Sequence, residues 1–292
     1  MMRLILLLSL FVFAATFGQH SQMAMATNLF EGKQYKKAKY VLSEEIQNNS
    51  SRKAKELLAD IHGNLREWDE AIALYKELVD QFPNDAELQF KYGGVLARKA
   101  ESGSRVKALM LVGKIKKSFL KSAELDRNHI EVRWGLIEFY TAVPTILGGS
   151  TSKAYECAKE LLKISPIEGH FALAYLYGLD DDPIKAKENL KKTIPYSKKL
   201  KSIERNQLNY LIGKVCSDFN VDLESGISHM KTYIENYGVK DGVPISKAYY
   251  QMAKLYRLQG NRESASVWIK KALQSESNFK LALEEREIID ML

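Results

Sequence analysis

Apolar positions recur at helical spacing from residue 24 to the C-terminus, in short windows separated by Gly, Asn, Asp or Pro. One window reads Tyr249-x-x-Met252-Ala253-x-x-Tyr256. After Gly260 a second reads Ala265, Ile269 and Ala272-Leu273. Intervals of three and four place each set on one face of an α-helix. The first face carries aromatic, bulky, small and aromatic residues, and the second carries small, bulky and small ones. The pattern predicts an all-α chain of helix-turn-helix units.

Aligning the small residue that opens each second helix gives Ala38, Ala71, Ala154, Ala186 and Ala265, with Gly226 as a weaker match. Ala38 to Ala71 is 33 residues and Ala154 to Ala186 is 32. The later intervals are 40 and 39, and the 83 residues from Ala71 to Ala154 imply an insertion near 97–108, around Glu101-Ser-Gly-Ser104. The second unit is nearly complete, with Leu58-Ala59, Trp68, Ala71, Tyr75 and Leu78 before Pro83. These residues resemble the tetratricopeptide repeat, which pairs a W-x-x-L-G-x-x-Y helix with an A-x-x-x-F helix and a closing Pro at a period of about 34 residues. The resemblance implies an α-solenoid of about seven such repeats, closed by an amphipathic segment over 281–292.

Ala26, Ala59, Gly93, Ala174, Gly213 and Ala253 fill the slot where small side chains allow close helix approach. The fourth unit, around Val132–Tyr140, offers no clear bulky-small pair. Its link over 143–152 is long and glycine-bearing, and reads either as a helix stop or as a loop shaping a surface. The block from Gly148 to Ala174 resembles bacterial repeat proteins of unassigned function. Asn84-x-x-Glu87, Asn128-x-x-Glu131 and Asp182-Pro183 read as helix starts. Asp180-Asp181-Asp182 lacks the alternation and glycine of a calcium loop, so capping is the expected role.

The N-terminus follows a different rule. Met1-Met2-Arg3 precedes an apolar run from Leu4 to Phe13 broken only by Ser9, followed by Ala14, Ala15, Thr16 and Gly18. A basic start, a short apolar core and a small-residue exit describe a secretory signal peptide. The apolar core is shorter than the roughly 18–20 residues that span a bilayer. Residues 1–18 are therefore expected to be removed after Gly18, with Thr16 as the alternative, leaving 19–292 without a transmembrane segment. No Cys follows the run to carry a lipid, and the expected location is periplasmic or secreted.

Composition narrows the function. The formal charge is +7, or +6 once Arg3 is gone. Eight basic residues face one acid over 98–121, and eight face two over 185–205. Such segments are either solvated faces or sites for anionic envelope components such as lipid headgroups or polysaccharide. Nucleic acid is not an expected partner. Cys157 and Cys216 are read as buried apolar residues, with a bridge open as the alternative. No H-E-x-x-H, G-x-S-x-G, phosphate loop or C-x-x-C is present, and the five histidines are dispersed. No catalytic residue, metal or cofactor is expected.

In the repeat family the first helix of each repeat lines a concave wall. Carried onto this sequence, its slots fall on Glu56 and Asp60, Phe90 and Gly94, Phe171 and Tyr175, Tyr210 and Lys214, and Tyr250 and Lys254, with Arg98 and Arg257 one turn on. The resemblance implies an aromatic ladder flanked by cations, suited to a protein or peptide partner with apolar and acidic groups, unless these aromatics belong to the core. On the ladder reading, Tyr210→Ala with Tyr250→Ala spares folding and abolishes partner capture. The expected function is a non-catalytic adaptor in a bacterial envelope. The alternative is a binder of anionic envelope components, and an enzyme with a cryptic site stands third.

Overall fold

The computed structural model describes residues 22–48, 51–197, 205–238, 241 and 243–292. The proposed signal segment and residues 198–204 of the second basic stretch lie outside them. Every regular element among the described residues is helical. The chain opens with α1 (22–31), α2 (Tyr35–Asn48), α3 (Arg52–Asn64), α4 (Trp68–Gln81), α5 (Ala86–Ser102), α6 (Arg105–Leu125) and α7 (Ile130–Ala142). It continues with α8 (Thr151–Ile164), α9 (Pro166–Leu179), α10 (Pro183–Ser197), α11 (Asn206–Phe219), α12 (Leu223–Glu235), α13 (Ile245–Leu258), α14 (Arg262–Ser275) and α15 (Lys280–Asp290). Seven helix pairs and a closing helix are thus described. They form two compact units that divide within α8, one up to Cys157 and one from Ala158.

Helix ends follow local chemistry. Ser51, Ser104, Asp182 and Asn261 each accept a backbone N–H three residues on and cap α3, α6, α10 and α14. Two expected caps shift by one residue. Asp85, not Asn84, accepts from Leu88 N at 3.0 Å, and His129, not Asn128, is the N-cap of α7. The carboxylate and the imidazole point at the exposed amides, whereas Asn128 donates its own N–H to Asp126.

In the first unit each helix from α2 to α6 packs on the next, and α5 also touches α7. Ala26, Ala38, Ala59 and Ala71 are fully buried in their expected slots. Residues 97–108 extend a helix pair: α5 has 17 residues and α6 has 21, against 13 or 14 in α3, α4 and α7. After α7 the link folds back compactly, with Thr145–Leu147 in a 3-10 turn and Ser150 N donating to Tyr140 O at 2.9 Å. A Cβ on Gly149 would lie 1.6 Å from the Val143 carbonyl, so only glycine fits there.

In the second unit α11 touches α13, and α13 touches α15, besides their sequential neighbours. Gly213 admits Met230, whose Cε would lie 2.6 Å from an added Cβ. Ala186 is not buried as its slot implied. Asn189 and Thr193 are the buried positions on α10, and Asn189 Oδ1 lies 3.1 Å from His170 Nδ1 on α9. The burial on this face is therefore deepest one and two turns beyond Ala186, where the contact to α9 is a hydrogen bond. Cys157 and Cys216 are buried and take part in no disulfide.

Candidate partner-binding faces of the first helices

In the first unit the face of α3 and α5 is charged and internally paired. Lys91 on α5 reaches Glu56 Oε1 at 2.8 Å and Asp60 Oδ2 at 3.1 Å, both on α3, and Tyr75 donates to the same Asp60 carboxylate. Burial would push the Lys91 ammonium down, but the two carboxylates outweigh it and its pKa rises. Lys91 therefore stays a cation, and the face keeps an excess carboxylate. A side chain at Gly94 would meet nothing within 4 Å, which marks open space. Phe90 is half-buried, with its ring 6.0 Å from Phe119 and 5.0 Å from His129. Arg98 is exposed and pairs with Glu101 at 3.5 Å.

In the second unit the cations are paired as well. Lys254 on α13 donates to Asp218 on α11 at 2.7 Å, and Lys214 donates to the other oxygen of that carboxylate. Burial works against ionisation of Asp218, but the two lysines prevail and hold its pKa below the ordinary range. Arg257 reaches both oxygens of Glu285 on α15. The expected flanking cations are therefore largely offset by carboxylates of the same or a neighbouring first helix.

The aromatic ladder needs a correction. Phe171 and Tyr210 are each 6% exposed and belong to the core. Tyr210 packs 5.5 Å from Tyr233, and burial pushes its phenol up to about 12. Tyr250 is half-buried and meets Phe279 edge-on at 5.5 Å. Tyr175 alone of these four aromatics is well exposed, at 42%. Helix periodicity places these slots on one side of each first helix, and packing buries Phe171 and Tyr210 there. Asp218 and Glu285, missing from the expected set, are what hold Lys214, Lys254 and Arg257. An acid four residues after Lys214 was the available signal for the first.

Residues 52–95 match a family model described as Tetratricopeptide repeat. This stretch carries a tetratricopeptide repeat. It covers α3, α4 and the first part of α5, and so includes Glu56, Asp60 and Lys91. Two solved structures share the fold. The human IFIT1 dimer with m7Gppp-AAAA aligns with a TM-score of 0.55 at 16% identity, over 88% of this chain and 54% of that one. The APC/C hetero-tetramer Cut9-Hcn1 aligns with a TM-score of 0.51 at 13% identity, over 92% of this chain and 49% of that one. The chain spans about half the length of each. No curated protein matches it. At such identities the likeness shows fold class alone, an all-α solenoid of tetratricopeptide-type helix pairs. Repeats of this class generally mediate protein–protein contacts and generally carry no catalysis. No described helix is long and apolar enough to cross a membrane, and no described group of His, Cys, Asp and Glu could hold a metal ion.

Proposed function

We propose that this chain is a non-catalytic adaptor, exported to the envelope of a bacterium, that holds a protein or peptide partner against the first-helix faces of its repeats. The observation that carries this reading is the Lys214–Asp218–Lys254 cluster on α11 and α13. The same unit also exposes Tyr175 on α9. Two lysines share one carboxylate, so the cluster retains a positive charge held at fixed geometry. Pre-ordered charged side chains lose less rotamer freedom when a ligand arrives. Tyrosine adds a large rigid contact with a polar tip. An acidic segment with an apolar or aromatic anchor is the partner chemistry this face suits. Export rests on the Arg3–Gly18 pattern.

The test is affinity capture from envelope extract with Lys214→Glu/Tyr175→Ala beside the parent chain. Capture lost in the variant, at an unchanged melting temperature, supports the proposal. An identical set of captured proteins from both chains overturns it. N-terminal sequencing of the protein from its own cells tests export, and a start at Met1 in the cytoplasmic fraction refutes that part.

A further inference from the structure

Helices α5 and α6 outlast their neighbours at the end that carries the Gly103–Ser104 turn. Lys99 pairs with Asp69 in the first turn of α4, so residues 100–104 run on past the start of that helix. On the other side Gly148 sits against the Lys116 side chain, two turns into α6 from Leu109. At 1.5 Å per residue, the Gly103–Ser104 tip stands roughly 5–10 Å beyond the α3–α4 turn. On α6 the tip exposes Val106 at 71%, Leu109 at 51% and Met110 at 76%, an i, i+3, i+4 stripe. Ile146, 92% exposed, sits in the turn beside Gly148 that leaves α7 at the same end.

Charge surrounds this stripe. Arg105, Lys107, Lys114 and Lys117 are exposed and have no carboxylate partner among the described residues. Glu101 is the single acid from Arg98 to Lys121 and already meets Arg98. Helix faces that lie in a bilayer interface combine apolar side chains with Lys and Arg, and bury their apolar side about 5–10 Å below the headgroups. The projection of the tip is of that order.

We infer that the α5–α6 tip is a docking element for an anionic lipid surface. Val106, Leu109 and Met110 enter the headgroup boundary, and Arg105, Lys107 and Lys114 meet lipid phosphates. Each such cation near the surface strengthens binding about fivefold at moderate salt. The contact uses none of Tyr175, Lys214, Asp218 or Lys254, so it is independent of the adaptor reading.

A polarity-sensitive fluorophore on Met110→Cys tests it in the full chain, since Cys157 and Cys216 are buried and resist labelling. The probe reports on residue 110 itself, whatever else tethers the chain. With vesicles of equal parts phosphatidylcholine and phosphatidylglycerol the emission shifts to the blue. The shift is absent with phosphatidylcholine alone and reverses at high salt. Adding Leu109→Asp weakens partitioning about tenfold or more. The inference falls if residue 110 does not respond to the anionic vesicles. It also falls if a probe on Glu263→Cys responds equally, or if an acidic amphipathic peptide, and not the vesicles, moves the emission.

Discussion

The ring of Phe119 on α6 fills the space that a side chain at Gly93 on α5 would occupy. An added Cβ would lie 2.7 Å from both Cδ1 and Cε1. The opposite edge of the ring faces Gly135 on α7, where a Cβ would sit 3.2 Å from Cε2 and Cζ. One aromatic ring therefore sets the spacing of three helices, between two glycines on successive first helices.

Gly93→Ala should overpack this contact and cost about 1–3 kcal/mol. Thermal unfolding followed by circular dichroism reads the loss as a lower melting temperature. Adding Phe119→Leu should return part of it, because the smaller side chain vacates the space the methyl needs. Additive losses in the double variant would show that the two residues are not coupled.

The Arg257–Glu285 pair ties α13 to the closing helix, and the Glu285 side chain is only 5% exposed. Arg257→Met leaves that carboxylate buried without its cation and should cost about 3 kcal/mol. Hydrogen exchange should quicken first in α15. Arg257→Met with Glu285→Leu should recover most of the stability, since an apolar pair needs no compensation. A silent single variant would argue against the pair's role.

His129 is 8% exposed and lies between Glu87 at 3.2 Å and Glu131 at 3.3 Å. Burial alone would lower its pKa, but the two carboxylates push it up to about 9. The same Nδ1 lies 3.4 Å from Val132 N, a contact it can accept only when unprotonated. The carboxylates favour the imidazolium, so the ion pairs win over that long cap. A group whose pKa is raised on folding stabilises the fold fully below its ordinary value near 6.5 and loses that contribution as pH rises through the folded value. The melting temperature should therefore fall between about pH 6.5 and 9. His129→Gln should flatten the decline, and parallel curves for the two proteins would refute it.

Tyr210→Ala should destabilise the second unit by about 3–5 kcal/mol, since it empties a buried site against Tyr233. Tyr175→Ala should change stability by less than about 0.5 kcal/mol, as expected for an exposed position. Denaturant melts of the two variants make the comparison. Equal effects would contradict the burial assigned to these rings.

Much of the fold was legible because each helix carries its own periodicity and stop signals. Ala59, Ala71 and Ala253 could be placed from spacing alone, and all are fully buried. Ala186 misled: on that same face of α10 the buried positions are Asn189 and Thr193, one and two turns further along, and Asn189 meets His170. For the expected face, spacing gave a set of slots on each first helix and not what covers them. Phe171 and Tyr210 occupy slots equivalent to the half-buried Glu56, Phe90 and Tyr250, and packing buries them further.

The chain's own pattern determined that it forms paired helices with short turns, because 3.6-residue periodicity and capping act within a few residues. Tertiary structure decided which charges remain available. Lys254 meets Asp218 from 36 residues away, Arg257 meets Glu285 from 28, and Lys91 meets Asp60 from 31. These intervals are about one repeat long, so each pair exists only once neighbouring helices have stacked.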